Sequence, residues 1–174
     1  MGRLSTSQIA AITQGRDFQL AIETGTYRGE QLKTISEYFP SAIGIELSEH
    51  YADLSRKSAP KAIVFTGDTR EWLPIFCAGC AFPVVFFLDA HYCKVTPPIP
   101  KSEFPLWDEL KMIADRPYKD IVIVDDVHTF GKVRDELRFK PDAREWESVT
   151  PENIMEYFIR CKGEVVDDSF VVYK

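Results

Sequence analysis

The chain reads as an α/β fold, a mostly parallel central sheet with helices on both faces and an antiparallel C-terminal hairpin. Three features of the sequence carry this reading. Strand-like and helix-like patterns alternate five times from Phe18 onward, the signature of a parallel sheet with crossover helices. The run Val84 to Leu88, within FPVVFFLDAHY, is continuously apolar, as a central strand buried on both faces requires. The last residues, EVVDDSFVVY, read as two strands around a tight turn at Asp167, Asp168 and Ser169.

Taken in order, residues Ser5 to Gln14 pattern as a short amphipathic helix, with Ile9, Ala10 and Ile12 on one side and Gly15 closing it. Its expected place is the sheet edge or a lid over a ligand. Phe18, Leu20, Ala21 and Ile22 read as a buried strand with Glu23 at its carboxyl end, breaking into a glycine-bearing loop. Arg28 to Phe39 follows as a helix with Leu32, Ile35 and Phe39 on one face, stopped by Pro40. Ala42 to Ile45 is the second strand and ends in Glu46; Glu49 to Lys57 is helical, with Ser48 as its expected cap. Lys61 to Phe65 is the third strand, running into Thr66-Gly67-Asp68-Thr69. After the fourth strand comes Asp89, and the proline-rich stretch Cys93 to Lys101 reads as a loop over the strand ends. Pro105 to Ala114 is a helix with Leu106, Leu110 and Ile113 inward, and Ile121 to Val124 is the fifth strand, ending in Asp125-Asp126. Phe130 to Glu147 reads as a charged short helix and surface loop, and Pro151 to Cys161 as a helix capped by Thr150 with proline in its first turn.

Composition narrows the class of function. With 174 residues, 45% of them hydrophobic and 28% charged, the chain is most simply one globular domain, residues 1–174. Its 21 basic and 27 acidic residues leave a net charge of −6 without a dense basic run, which argues against a nucleic-acid backbone as partner. No apolar stretch is long enough to cross a bilayer and the start MGRLSTSQ lacks an apolar signal core, so no membrane partner and a cytoplasmic location are expected. Cys77 and Cys80 form a lone CxxC with no second pair to complete a zinc site. They are read, with Cys93 and Cys161, as buried or half-buried free thiols.

The loop after the first strand decides which ligand the strand ends collect. A dinucleotide fingerprint registered on Gly25 needs glycine at Tyr27 and Glu30, and a phosphate loop needs Gly-Lys-Ser/Thr; neither condition is met. What stands there is Glu23-Thr24-Gly25-Thr26-Tyr27-Arg28-Gly29, an ExGxxxG that resembles the first motif of the class I S-adenosylmethionine (SAM) dependent methyltransferases. A carboxylate at Glu23 favours a cationic sulfonium and ammonium and opposes a diphosphate. Glu46 lies 21 positions beyond Gly25, the distance at which a strand-end acid meets the hydroxyls of a ribose. The Gly67-Asp68 pair is similar to the adenine site of that family, and a helix cap is the other reading of Asp68. LDAHY, PLWDEL and IVIVDDVH are together similar to a group of bacterial class I methyltransferases. The resemblance implies the Rossmann-like class I methyltransferase fold, with SAM held by Glu23, Gly25, Thr26, Gly29, Glu46, Asp68, Thr69 and Asp89.

The acids after the fourth and fifth strands add a second expectation. Neighbouring strands lie about 4.8 Å apart, so Asp89, Asp125 and Asp126 would come within reach of one ion, provided the fifth strand has ended at Val124. Hard oxygen donors of this kind suit Mg²⁺, and the arrangement resembles the catechol O-methyltransferase group. By that likeness the three acids would be metal ligands, and the ion would ease deprotonation of the hydroxyl to be methylated. The lysine that this group carries three residues after its first acid is Tyr92 here. The candidate bases are therefore His91, Lys94 and His128, with Asp89 beside them in the reaction site. The expected activity is O-methylation of a small hydroxylated acceptor such as a sugar, phenol or natural-product intermediate. A metal-dependent hydrolase or hydroxylase-like enzyme and a non-catalytic SAM-binding or scaffold domain are the alternatives. A homodimer is compatible with the sequence, and a partner subunit would then complete the acceptor pocket.

Overall fold

The computed structural model describes residues 3–90, 104–132 and 146–174. The apolar run after Asp17 becomes β1 (Leu20–Thr24), whose five residues are all buried. Around it the sheet is ordered β3 (Ile63–Thr66), β2 (Ser41–Glu46), β1, β4 (Val85–Leu88), β5 (Ile121–Val124), β7 (Ser169–Tyr173) and β6 (Lys162–Val166). The first five strands run parallel, and β7 is antiparallel to both β5 and β6. The hairpin turns on Asp167, held at φ 52, and Asp168.

Alternation along the strands sorts the core into two layers. Leu20, Ile22, Phe86, Leu88, Val122 and Val124 face α4 (Thr69–Gly79), α5 (Leu106–Ala114) and α6 (Pro151–Met155). Ala21, Val85, Phe87, Ile121 and Ile123 face α1 (Thr6–Thr13), α2 (Glu30–Tyr38) and α3 (Glu49–Ser58). Each fully buried leucine or isoleucine contributes on the order of 2 kcal/mol. Helix α1 buries Ile9, Ile12 and Thr13 and leaves Ala10 exposed, because a three- and four-residue stripe starting at Ile9 passes Ala10 by. Ser5 caps it with a reciprocal bond pair to Gln8.

Three expectations are corrected. The last helix stops at Met155, not Cys161: Tyr157, Phe158 and Cys161 donate to carbonyls three residues back, and Arg160 takes a left-handed φ of 69. Strand β1 begins at Leu20 and extends to Thr24, so Glu23 lies inside the strand, two residues before Gly25. Ser48 makes no side-chain cap on α3; its amide donates to Glu46 Oε1 at 2.9 Å.

Opposite the parallel strands' carboxyl ends, a buried ion pair ties the sheet together. Arg116 Nε is 2.9 Å from Asp120 Oδ2, and Asp120 Oδ1 accepts the Val84 amide at the start of β4. The same guanidinium donates to the carbonyls of Cys77, Cys80 and Phe82. The CxxC segment is thus a backbone anchor. Its thiols are free and half-buried, and burial pushes Cys77 up to about 11.

Candidate functional site

Register explains why acids gather at one edge. Glu23 pairs with Phe87 and Phe87 with Ile123, so Glu23, Asp89 and Asp125 project from neighbouring strand ends toward the α1 and α2 face. They line one hollow, open to solvent, with Leu4, Gln31, Phe87 and Ser169 among its walls. The N-terminal segment shapes its rim: the Leu4 amide donates to Gln31 Oε1 at 2.9 Å, and Gln31 Nε2 returns to the Leu4 carbonyl. Because β7 runs antiparallel beside β5, Ser169 sits next to Asp125 and donates to its Oδ1 at 3.1 Å.

Like charges taken out of water hold their protons. Burial, then Asp89, Asp125 and Glu46, keep Glu23 well above the usual carboxylate range. Burial and then Asp89 push Asp125 up to about 7. Among the described residues, Glu23 Oε2 and the hydroxyls of Thr24, Thr26, Ser55 and Thr69 are buried and complete no hydrogen bond. All lie at or beneath the carboxyl edge of β1 to β3, where a polar, cationic ligand would satisfy or offset them.

The glycine loop is shaped first by its own chain. A Cβ on Gly25 would meet the Asp89 carbonyl oxygen at 2.4 Å, and one on Gly29 the Ser55 Oγ at 2.6 Å. Both glycines have left-handed φ, 76 and 75. Glu46, at the end of β2, accepts the Tyr27 amide at 2.7 Å on Oε2 as well as the Ser48 amide on Oε1. Each oxygen keeps a lone pair for a diol. Burial raises Glu46, and the amides of Ser48, Tyr27 and Leu47 lower it again in part. Asp68 caps α4 through the Arg70 amide at 2.9 Å and also holds the Arg70 guanidinium, so the helix-cap role is realised. Thr69 is the first residue of that helix and is buried.

Asp126 also belongs to a second group of acids and imidazole. β5 ends at Val124 as the paired-acid reading required, but Asp126 then adopts φ 61 and opens a 3-10 turn, Val127–Thr129. Among the described residues, the potential metal ligands within 4.8 Å of one another are Asp126, His128 and Asp168. Asp89 and Asp125 are not in that group. His128 Nδ1 is 2.7 Å from Asp168 Oδ2, and Asp168 Oδ1 accepts the His128 amide at 2.9 Å. His91, Lys94 and Cys93 lie outside the described residues.

Sequence reasoning missed two residues. Asp168 was read only as part of a turn; antiparallel pairing of β7 with β5 carries it to His128. Glu109 was hidden in the core stripe of α5, where it is 1% exposed. Burial pushes it up to about 7; the hydroxyls of Thr69 and Thr24 face it and lower it in part, although Glu109 Oε1 and both hydroxyl oxygens complete no hydrogen bond of ordinary geometry. A lone acid within an apolar helical stripe was the available signal.

Strand order 3-2-1-4-5-7-6 with an antiparallel seventh strand, and acids collected at the carboxyl ends, define the class I methyltransferase fold. Comparison with solved structures gives the same architecture. The chain is similar to an O-methyltransferase from Bacillus cereus in complex with SAH, with a TM-score of 0.63, 19% identity, and 97% of this chain and 80% of that one covered. It is similar also to the O-methyltransferase TomG from Streptomyces achromogenes, involved in tomaymycin synthesis and in complex with SAM, with a TM-score of 0.61, 14% identity and coverage of 97% and 78%. A provisionally named caffeoyl-CoA O-methyltransferase from Staphylococcus aureus has a TM-score of 0.59, 16% identity and coverage of 99% and 83%. No protein-family model and no curated protein matches the sequence.

Proposed function

We propose that the chain is a SAM-dependent methyltransferase acting on a hydroxyl group of a small molecule. The observation that carries this reading is the hollow shared by Glu23, Asp89 and Asp125, beside a ribose-competent Glu46. Three acids crowded at one opening are unfavourable without a counter-charge and favourable with a sulfonium and an ammonium. Similar folds bind SAM or SAH, and the donors present fit that cofactor: Glu23 and Asp89 at its cationic end, Glu46 at the ribose, Asp68 and Thr69 near the base, and Gly25, Thr26 and Gly29 in the loop. When bound, SAM supplies a methyl group on a good leaving group. The chain's task is then to align the acceptor oxygen, exclude water and take one proton.

His128 is the described candidate for that proton. With Nδ1 turned to Asp168, Nε2 is the nitrogen left to accept it. A divalent cation would assist by lowering the acceptor's pKa. Asp89, Asp125 and Asp126 remain the oxygen-donor set suited to Mg²⁺, while Asp126, His128 and Asp168 include an imidazole and suit Mn²⁺ or Zn²⁺ better. Titration of each metal into Asp125→Ala and His128→Ala variants separates the two: loss in only one variant names the set.

Calorimetric titration with SAM and SAH tests the central reading. Binding at micromolar concentrations is expected; no heat with either ligand up to millimolar concentration overturns it. Metal binding without any SAM effect would favour a hydrolase-like site instead.

A further inference from the structure

Glu109 is a buried acid that the methyl-transfer reading leaves without a task. Helix α5 turns it into the layer that otherwise holds Leu20, Ile22, Phe86, Leu88, Leu110 and Ile113, where it is 1% exposed. The two hydroxyls that face it, on Thr24 and Thr69, are buried as well. A leucine at this position would continue the apolar stripe of α5 at lower cost, because every polar group taken from water needs a partner. The three side chains can partner one another. A hydroxyl turns freely and a carboxyl offers two oxygens, so rotation alone connects atoms that, as they stand, complete no bond of ordinary geometry. Packing of the apolar layer gives no reason for such a group here.

The reason lies in what the two threonines hold. Thr24 is the last residue of β1, directly before Gly25, and its carbonyl accepts the Asp89 amide at 3.1 Å. Thr69 is the first residue of α4, directly after Asp68, the acid that caps this helix. Glu109 thus faces the two corners that carry Gly25, Asp89 and Asp68, and it does not itself line the hollow. We propose that Glu109 is a positioning residue: through Thr24 and Thr69 it fixes the end of β1 against the start of α4, and with them the spacing of the groups that receive the ligand. This rests on the methyl-donor reading and goes beyond it, since Glu109 acts only through the two threonines. Strand ends already held at their bound spacing need not be ordered when the ligand arrives, which strengthens binding at the expense of a buried acid in the core.

The test uses five proteins, wild type, Glu109→Gln, Glu109→Leu, Thr24→Val and the double variant Glu109→Leu/Thr24→Val, with SAH as the probe in calorimetry and Tm measured without ligand. Glu109→Gln keeps a donor and an acceptor on the same stem and should bind SAH within twofold of wild type. Glu109→Leu should melt at or above wild type and bind SAH at least fivefold more weakly, a split between stability and affinity that a purely structural acid would not give. Thr24→Val should weaken binding at least threefold, and the double variant should bind within twofold of Glu109→Leu, because the two residues act as one link. Binding within twofold of wild type in Glu109→Leu overturns the proposal, as does equal weakening in Glu109→Gln and Glu109→Leu, or losses that multiply in the double variant. Should Glu109→Leu fail to fold, binding within twofold of wild type in Thr24→Val overturns it by itself. A wild-type chain that binds no SAH overturns the methyl-donor reading, and this inference with it; a wild-type chain that binds SAH while the variants fail these comparisons overturns this inference alone.

Discussion

Glu23 shows how a single side chain can be costly to the fold and useful to the site. Buried among Asp89, Asp125 and Glu46, its carboxylate is held well above its usual range and Oε2 completes no hydrogen bond. Replacing it with glutamine removes the charge and keeps the shape. Glu23→Gln should raise Tm by a few degrees and weaken SAM binding by about tenfold, about 1.4 kcal/mol, as read by thermal denaturation and calorimetry. Glu109 makes a separate prediction about pH. Its folded-state pKa of about 7 exceeds that of the unfolded chain, so the folded state binds the extra proton between about pH 4.5 and 7. The favourable contribution is fully present below that window and is lost as pH rises through 7, on the order of 3 kcal/mol in all. Denaturant melts should find Glu109→Gln more stable than wild type at pH 8 and nearly equal to it at pH 4.5.

At the scale of elements, the site depends on strand ends pressed together. Gly25 closes β1 against the end of β4, where a Cβ would lie 2.4 Å from the Asp89 oxygen at a φ of 76. Gly25→Ala should therefore cost about 3 kcal/mol and lower Tm by roughly 10 °C. If it melted like wild type, β4 would not sit where it is described. At the other edge, Arg116 links the end of α4, the loop after it and β5 through Asp120. Arg116→Met leaves the Asp120 charge buried and only distantly compensated by Lys174, 3.8 Å away. A loss of about 3–5 kcal/mol is expected in denaturant melts, with SAH affinity unchanged in the protein that remains folded.

For the whole molecule, ligand binding and stability are coupled by mass action. SAH at one hundred times its Kd should stabilise the folded state by about 2.7 kcal/mol and raise Tm by roughly 5–10 °C. The gain should shrink in Glu23→Gln and persist in Arg116→Met, since only the first alters the hollow. The molecule divides its labour between the two edges of one sheet. Ion pairs and backbone anchors secure the amino ends of β4 and β5, and acids and buried hydroxyls crowd the carboxyl ends.

Much of this was legible in the residues themselves, because strand identity follows from uninterrupted apolar runs and acids immediately after such runs must sit at one edge of a parallel sheet. Leu20 to Ile22, Val85 to Leu88 and Ile121 to Val124 declared their strands in that way, and Glu23, Asp89 and Asp125 followed from register. What depended on contacts distant in sequence was hidden. The hairpin's return beside β5 brings Asp168 to His128 and Ser169 to Asp125, α5 carries Glu109 under Thr24 and Thr69, and a left-handed turn at Asp126 groups it with His128 and Asp168. Periodicity records which face a residue occupies; only the folded chain decides what stands opposite it.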